Sequence, residues 1–492
     1  MPALFRVDPR DAVATALRDL AAGDAVEVGG ERVTLRDAVA RGHKVAVRAV
    51  APGEPVLKFG FPIGTATAQI VPGDWVHTHN VRTALATRGD YRRGTPDAPV
   101  ATRPGGSFRG YRRADGRVGT RNEIWVLPTV GCVARTAQKI AERAGRMFAG
   151  KVDGVHAFTH PFGCSQLGDD LNGTRAVLAA LAAHPNAGGV LLVGLGCESN
   201  QLSTLMAEID ESAHPRIRAV AAQLAGDEVE EGLAAVEELV AIAGQAARED
   251  VPLSELVLGV KCGGSDGFSG LTANPLVGRM SDAVTGAGGS AILTEIPEIF
   301  GAEQLLMDRA ASDAVFDGIV GLVNGFKRYF TDHGEPVSEN PSPGNIAGGI
   351  TTLEEKSLGA VQKAGHAIVT DVRRYGERVR EKGLTLLEAP GNDAVSCTAL
   401  AAAGATAILF TTGRGTPLGF PVPTIKIASN TPLAERKPGW IDFDAGRALR
   451  EEGDAVADAL LDTIRAVASG TPTAAERNGE REIAIWKRGV TL

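Results

Sequence analysis

The feature that most constrains this 492-residue chain is a strand, a helix and a second strand in succession within residues 155–201. Residues 155–158 are apolar apart from His156, and a helix is predicted over about 169–184. Residues 185–189 contain Pro, Asn and Gly and end that helix. Residues 190–193 are only Val and Leu, which is typical of a strand buried on both faces. The unit predicts a parallel sheet, whose ligands bind beyond the carboxyl ends of its strands.

Cysteines follow four predicted strands, two of them in this unit. These strand-exit cysteines are Cys132, Cys164, Cys197 and Cys262. A parallel sheet would gather them along one edge, where thiolates would bind a metal ion. The alternative is that they are small residues packed in tight loops, because free Cys is among the most buried residue types. Cys397 lies in a predicted helix over 394–403 and is interpreted as part of the core.

Composition excludes several functional classes. The chain is 44% apolar and 22% charged, which is ordinary for a globular protein in water. A net charge of −8 and a pI near 5.7 disfavour a nucleic-acid partner. No apolar run approaches 18 residues, so no membrane span is expected, and residues 1–13 lack the apolar core of a signal peptide. A cytoplasmic protein with reduced cysteines is therefore expected.

Residues 1–87 predict a small, mostly β module. The segment 26–35 alternates and turns at Gly29-Gly30, like a hairpin, and no helix longer than one at 10–22 is expected. The module ends near His77 and His79, which a strand would place on one face. Two imidazoles there could act in catalysis by binding a metal, an anion or a substrate carboxylate. The alternative is a solvated edge strand.

The rest of the chain divides into a linker and two further domains. Residues 88–108 are rich in Arg, Pro and Gly and are interpreted as the linker. α/β domains with mainly parallel sheets are expected over 109–250 and 251–492. Residues 201–250 are predicted to be helical and acidic, and 291–298 to form a strand. Residues 340–352 form a Gly/Pro-rich loop that lacks the Lys of a phosphate-binding loop, which argues against a nucleotide site.

Polar residues near the predicted strands supply the candidate site. Glu198 and Asp266 come just after strands and are candidate ligands or bases, although capping of a following helix is the simpler role. The candidate substrate-binding residues are Arg121, Asn122, Gln166, Ser265, Asn392 and Arg414.

These side chains favour a metal-assisted elimination of water from a hydroxylated acid. Loss of a proton next to a carboxylate places a second negative charge on that group. A metal ion stabilises this charge and polarises the departing hydroxyl. Thiolates favour iron or zinc, and added carboxylate or imidazole ligands widen the choice to iron or manganese. Thiolates from distant parts of the chain also suit an iron–sulfur cluster.

Long segments resemble the altronate/galactarate dehydratase family in sequence and in order. They include VHTHN, HPFGCSQLGDD, LVGLGCESNQ, KCGGSDGFSGLTANP, TEIPEIFGAEQLLMD, NPSPGNIAGGITTLEEKSLG and TTGRGTP. The resemblance implies an N-terminal SAF-type β module followed by two α/β catalytic domains.

The same resemblance implies an activity, a cofactor and a substrate class. D-altronate would lose water to give 2-dehydro-3-deoxy-D-gluconate in hexuronate breakdown, with Fe²⁺ or Mn²⁺ required. The alternatives are a dehydratase for galactarate or another sugar acid, and a sugar-acid binding protein without catalysis. The expected partner is a small-molecule sugar acid, and a homo-oligomer is compatible with the sequence.

Overall fold

The computed structural model of the chain describes residues 2–94 and 106–489. The N-terminal module consists of nine short strands. They are β1 (Leu4–Phe5), β2 (Val13–Ala16), β3 (Ala25–Val28), β4 (Glu31–Thr34), β5 (Lys44–Ala46), β6 (Pro55–Lys58), β7 (Phe61–Ala66), β8 (Trp75–Val76) and β9 (Val81–Arg82). Antiparallel pairing gives the orders β1-β2-β5-β8, β3-β4 and β6-β7-β9.

The module confirms the predicted β class and corrects two local predictions. The hairpin that turns at Gly29-Gly30 is confirmed as β3 and β4. The helix predicted at 10–22 is wrong, because β2 pairs with β1 and β5 and is fully buried. Tertiary pairing here outweighs local helix propensity. The strand predicted through His79 is also wrong, because β8 ends at Val76 and a turn follows.

The next part of the chain builds a four-stranded parallel sheet. The strands of this part of the chain are β10 (Ser107–Arg112), β11 (Val118–Gly119), β12 (Glu123–Pro128), β13 (Val155–Ala157), β14 (Ala187–Gly194), β15 (Ile217–Ala221) and β16 (Glu249–Pro252). Its helices are α1 (Ala134–Met147), α2 (Gly168–Ala182), α3 (Leu202–Glu208) and α4 (Glu228–Ala243), with 3₁₀ turns at Gly131–Val133 and Glu211–Arg216. The parallel order is β13-β12-β14-β15, and β11-β10-β16 form a separate sheet.

The predicted strand–helix–strand unit is confirmed as β13, α2 and β14. Val190 to Val193 lie within β14, and all eight residues of that strand are buried. Helices α1 and α4 pack on one face of the sheet, and α2 packs on the other. The wholly helical stretch predicted over 201–250 is corrected, because β15 interrupts it as the edge strand.

The last part of the chain builds a seven-stranded parallel sheet. Its strands are β17 (Val257–Cys262), β18 (Ser290–Leu293), β19 (Val369–Arg373), β20 (Gly383–Leu387), β21 (Ala407–Thr412), β22 (Thr424–Ala428) and β23 (Phe443–Asp444). The order is β19-β20-β18-β17-β21-β22-β23. The chain thus extends the sheet to one side of β17 and then returns to extend it to the other side.

Nine helices accompany this sheet in the described part of the chain. They are α5 (Ala273–Gly286), α6 (Gln304–Met307), α7 (Asp313–Asp332), α8 (Pro343–Ala347), α9 (Leu353–Ala360), α10 (Asp393–Ala402), α11 (Thr431–Arg436), α12 (Gly453–Ala468) and α13 (Ala474–Arg477). The 3₁₀ turns are Leu253–Glu255, Ile296–Ile299, Val361–Ala364 and Ala445–Leu449. The strand predicted at 291–298 is therefore shorter, and the loop predicted at 340–352 contains α8. Cys397 is buried in α10, as predicted.

The two parallel sheets meet at the amino ends of their strands. Thr120, before β12, donates from Oγ1 to the carbonyl of Thr406 at 2.7 Å, and Thr406 directly precedes β21. Helices α2 and α10 pack between the sheets, and Phe162 and Leu418, in loops after β13 and β21, join the same apolar core. Contacts thus join the sheets both before their strands, at Thr120 and Thr406, and after them, at Phe162 and Leu418. The carboxyl edges of both sheets therefore face the same side of the molecule, where ligands of parallel sheets bind.

The β module packs against the segment that leads into α9. Thr352, the N-cap of α9, donates to the carbonyl of Ile63, and His77 Nδ1 lies 3.1 Å from Thr351 Oγ1. Of the linker predicted at 88–108, residues 95–105 lie outside the described residues. Across 2–94 and 106–489, no helix combines the length and apolarity needed to cross a membrane.

Candidate active site

A cavity of about 430 Å³ opens at the carboxyl edge of the seven-stranded sheet. It lies beside β17, where the strand order reverses, which is where open α/β sheets bind their ligands. The loops after β17, β20 and β21, the 3₁₀ turn after β18, the segment around α8, and α9 all contribute to its wall. The polar and ionisable side chains on that wall are Cys262, Glu298, Asn340, Ser342, Asn345, Lys356, Asn392 and Asp393.

Lys356 places a positive charge in this cavity. Its Nζ donates to Glu298 Oε1 at 2.8 Å and to Asn340 Oδ1 at 2.9 Å. Burial by itself lowers the pKa of Lys356, but the Glu298 carboxylate outweighs burial and raises that pKa above the usual 10.5. Lys356 is therefore protonated at neutral pH and can stabilise negative charge on a bound acid.

A buried ionic network lies beneath the cavity around Glu295. Its Oε1 lies 3.0 Å from Lys261 Nζ and its Oε2 lies 3.0 Å from Lys363 Nζ. Burial opposes the charge of Glu295, yet the two lysines outweigh it and hold the pKa of Glu295 at about 2. Glu295 also has a φ of 64°, a strained backbone value for a residue other than Gly. Lys261 reaches the cavity wall through Asp393, with which it forms an ion pair.

Cys262, Glu295 and Glu298 form a compact group, but their surroundings do not fit a metal ion. One ligand atom from each lies within 4.8 Å of the others. However, Lys363 Nζ lies 2.9 Å from Cys262 Sγ, and lysines already neutralise both carboxylates. Burial raises the pKa of the Cys262 thiol to about 12, so at neutral pH it is not the thiolate that a metal binds.

The other three strand-exit cysteines lie together on the four-stranded sheet. Cys132, Cys164 and Cys197 follow the neighbouring strands β12, β13 and β14 and are exposed. The expectation that one sheet edge gathers all four thiols is therefore wrong. It fails for Cys262 because β17 belongs to a different sheet.

Backbone hydrogen bonds hold the three cysteine loops against one another. The amide of Gly131 donates to the carbonyl of Phe162 at 2.8 Å, and the amide of Asn200 donates to the carbonyl of Gly163 at 2.9 Å. Gly163 has a φ of +100°, and a Cβ there would lie 2.1 Å from the carbonyl oxygen of Thr129. Only Gly allows this approach, so the Gly before Cys164 is what brings that loop close to the end of β12.

The spacing of the three thiols on these loops fits a group of several iron atoms, such as an iron–sulfur cluster, better than a single metal ion. The three sulfur atoms do not all lie within 4.8 Å of one another in the described residues. A single ion binds thiolates at about 2.3 Å and so requires that spacing, whereas the cysteines of an iron–sulfur cluster bind different irons. Gln166, beside Cys164, is buried and its Nε2 has no partner among the described residues.

Glu198 and Asp266 both brace loops. Glu198 accepts from Thr129 Oγ1 at 2.7 Å and from the amide of Gly196 at 2.6 Å, and these hydrogen bonds outweigh burial and lower its pKa. Asp266 accepts from Ser429 Oγ at 2.8 Å and from Ser269 Oγ at 2.9 Å, while its enclosure raises its pKa. Neither residue caps the helix that follows it, since the N-caps of α3 and α5 are Gln201 and Thr272. Neither is among the side chains that line the cavity described above.

The two histidines of the module point to different surroundings. His77 is buried against Thr351, and burial together with the nearby Lys44 charge lowers the pKa of His77 to about 4. His79 is exposed, and its ring centroid lies 5.0 Å from that of Trp75. They do not share a face, because the chain turns directly after Val76.

The predicted substrate-binding residues are divided between the two edges of the sheets. Arg121 pairs with Glu476 at 2.8 Å and Asn122 donates to the carbonyl of Ala243 at 2.9 Å, both before β12 and thus at the amino edge. The others lie at the carboxyl edge: Gln166 in the cysteine loops, and Ser265, Asn392 and Arg414 at or near the cavity. Asn392 lines the cavity, the carbonyl of Ser265 accepts from Asn345 at 2.8 Å, and Arg414 donates to Gly344 at 3.1 Å.

Sequence reasoning missed the lysines of the site. Lys261 had a signal, since a lysine inside the apolar strand LVLGVKC predicts a buried and paired charge. Lys356 had none, because LEEKSLG has the composition of an exposed helix. Its partners, Glu298 and Asn340, lie far away in sequence.

Comparison with known proteins then identifies the family. The profile "Altronate/galactarate dehydratase SAF domain" matches residues 2–84. "D-galactarate dehydratase/Altronate hydrolase, second domain" matches 110–244, and "D-galactarate/Altronate dehydratase, C-terminal" matches 253–491. Altronate dehydratase of Escherichia coli (strain K12) is 50% identical over 99% of each chain. The chain belongs to the altronate/galactarate dehydratase family.

Two further relatives show how the similarity varies within this family. Altronate dehydratase of Bacillus subtilis (strain 168) is 47% identical over the full length of both chains. Galactarate dehydratase (L-threo-forming) of Escherichia coli (strain K12) is 35% identical over 90% of this chain and 88% of its own. The family resemblance seen in the sequence is thereby confirmed, as is the SAF module followed by α/β domains.

Proposed function

We propose that this chain is a hydro-lyase that removes water from D-altronate to give 2-dehydro-3-deoxy-D-gluconate. The observation that carries the proposal is the polar cavity at the carboxyl edge of the seven-stranded sheet, in a chain that matches altronate dehydratases at 47% to 50% identity end to end. A six-carbon hydroxy acid needs one fixed positive charge and several hydrogen-bonding side chains. Lys356 and the Asn and Ser side chains of this cavity supply them.

In the proposed mechanism the substrate carboxylate lies near Lys356. The bond between C2 and its hydrogen breaks, and the Glu298 carboxylate accepts that proton. The electron pair forms a double bond between C2 and C3 while the bond from C3 to its hydroxyl breaks. The hydroxyl takes the proton from Glu298 and leaves as water, which restores the Glu298 carboxylate. The enol then becomes the 2-keto acid by moving a proton from the C2 oxygen to C3. Lys356 stabilises the charge that builds on the carboxylate during proton removal.

We propose that turnover also requires iron, bound by Cys132, Cys164 and Cys197. Thiolate donors favour iron over manganese, which prefers oxygen ligands. Bound iron would supply Lewis-acid assistance to departure of the hydroxyl. The arrangement of the sheets supports this assignment, since the cysteine loops and the cavity lie on the same side of the molecule. The cytoplasmic location and a homo-oligomer stay predictions.

A panel of sugar acids tests the proposed substrate. Enzyme purified without oxygen and supplied with ferrous iron should convert D-altronate to a 2-keto-3-deoxy acid, measured with a keto-acid assay. D-altronate should give the highest kcat/KM of the panel because the full-length similarity to altronate dehydratases exceeds that to the galactarate enzyme. A kcat/KM at least tenfold higher for galactarate or gluconate would contradict the assignment.

A further inference from the structure

Three buried charges join the β module to the second α/β domain. Lys44 lies on β5, Lys58 ends β6, and Glu355 lies on α9. The Nζ atoms of Lys44 and Lys58 each lie 2.8 Å from the carboxylate of Glu355, on different oxygens. The side chains are 0%, 3% and 1% exposed, respectively, so water screens their attraction little.

The carboxylate of Glu355 is fixed in direction by further contacts. The amide of Thr351 donates to Glu355 Oε2 at 2.8 Å, and Lys44 Nζ also donates to the carbonyl of Gly349 at 2.7 Å. Burial disfavours the charge of Glu355, but the two lysines outweigh burial and hold its pKa at about 2. Loss of one partner from such a buried group is costly, so the group fixes how α9 meets the module.

Glu355 is followed directly by Lys356, the cation of the cavity. Successive side chains on an α-helix point about 100° apart. Glu355 therefore faces the module while Lys356 faces Glu298 and Asn340 across the cavity. A rotation of α9 that loosens the contacts of Glu355 with the module would move Lys356 Nζ away from Glu298 and Asn340.

Little free space separates the module from the site. A cavity of about 10 Å³ is lined by Lys58 and Phe59 of the module and by Glu355, Lys356 and Asp266 of the domain. It has room for about one water molecule. The module is thus closely packed where α9 begins, and a change there acts on α9 directly.

We propose that the β module is part of the catalytic apparatus, with Lys44 and Lys58 as positioning residues that bind Glu355 and thereby place Lys356 against the substrate carboxylate. This inference rests on the proposed function of Lys356. It gives the module a role in the chemical step without any contact between the module and the substrate.

The triple variant Lys44→Met, Lys58→Met and Glu355→Met tests the proposal. Apolar side chains of similar size often replace a buried ion group without loss of stability, so the variant is expected to fold and melt near the wild-type temperature. For D-altronate we expect kcat about 10- to 100-fold lower and KM changed less than threefold, because the cation acts mainly as charge develops. Arg48→Met, on the exposed surface of the module, should match wild type.

A triple variant with wild-type kcat would overturn the proposal and leave the module a purely structural role. Lys58→Met is the milder variant, since it leaves Lys44 and Glu355 as a neutral pair, and it should lower kcat about three- to tenfold. If the triple variant does not fold, wild-type kcat in Lys58→Met overturns the proposal.

Absence of altronate turnover in wild type would instead be a failure of the proposed function. Positioning is then measured in crystal structures of wild type and the triple variant. Displacement of Lys356 Nζ from Glu298 in the variant supports the proposal, and an unchanged contact overturns it.

Discussion

Replacement of Lys356 with Met is expected to lower kcat for D-altronate about 10³-fold. Removal of one preorganised group that stabilises developing charge typically costs about 10²- to 10³-fold in kcat, and Lys356 is the one lysine on the wall of the cavity described above. Steady-state kinetics with the keto-acid assay measures the effect. KM should change far less than kcat, because the charge to be stabilised grows during proton removal.

Controls separate this effect from a folding defect. Lys139→Met removes an exposed lysine on α1 and should leave kcat unchanged. Lys356→Met leaves Glu298 as an uncompensated buried carboxylate, which destabilises a fold. The double variant with Glu298→Gln removes that charge, so its melting temperature should recover while its kcat stays low. A kcat within threefold of wild type in folded Lys356→Met would contradict the mechanism.

Loss of any one of the three exposed thiols is expected to abolish iron binding and lower turnover at least 100-fold. Cys132→Ser, Cys164→Ser and Cys197→Ser each remove one thiolate from loops that hydrogen bonds hold together. Iron and acid-labile sulfide per chain, counted after anaerobic purification, measure the site directly. A brown protein whose activity needs both iron and sulfide for restoration indicates a cluster. Restoration by ferrous iron alone indicates a single ion.

Two other cysteines serve as matched controls for the iron site. Cys262→Ser and Cys397→Ala alter buried thiols outside the three loops and should keep wild-type iron content. Cys397→Ala should also keep wild-type turnover, because its side chain only packs within the core. Normal iron content in all three exposed-thiol variants would show that the metal, if required, has other ligands.

The sequence was sufficient for those parts of the fold that depend on local pattern. Strand β14 was predicted because a parallel strand covered by helices on both faces is apolar throughout. Strand β15 was missed because an edge strand of mixed burial, Ile217–Ala221, lies between helices in an acidic stretch. Strand β2 was taken for a helix because its Ala-rich sequence has helix propensity, while its pairing partners lie elsewhere in the chain.

The candidate site was predictable only in part, for a similar reason. Cys132, Cys164 and Cys197 could be placed on one edge because each follows a strand of one parallel sheet. The predicted domain boundary at 250–251 already separated Cys262 from these three, so the single edge expected for all four thiols conflicted with the predicted domains, and the structure follows the domains. The importance of Lys356 depends on contacts with Glu298 and Asn340, 58 and 16 residues away in the chain. Side chains brought together by tertiary packing leave no periodic signal in sequence.

The position of bound substrate tests the central claim most directly. A crystal structure of the Glu298→Gln variant grown with D-altronate should trap unreacted acid, since this variant keeps Lys356 but lacks the proposed proton acceptor. We expect its density in the 430 Å³ cavity, with the carboxylate end toward position 356 and the hydroxyls near Asn340 and Asn392. Altronate bound elsewhere, with this cavity free of it at saturating concentration, would contradict the account.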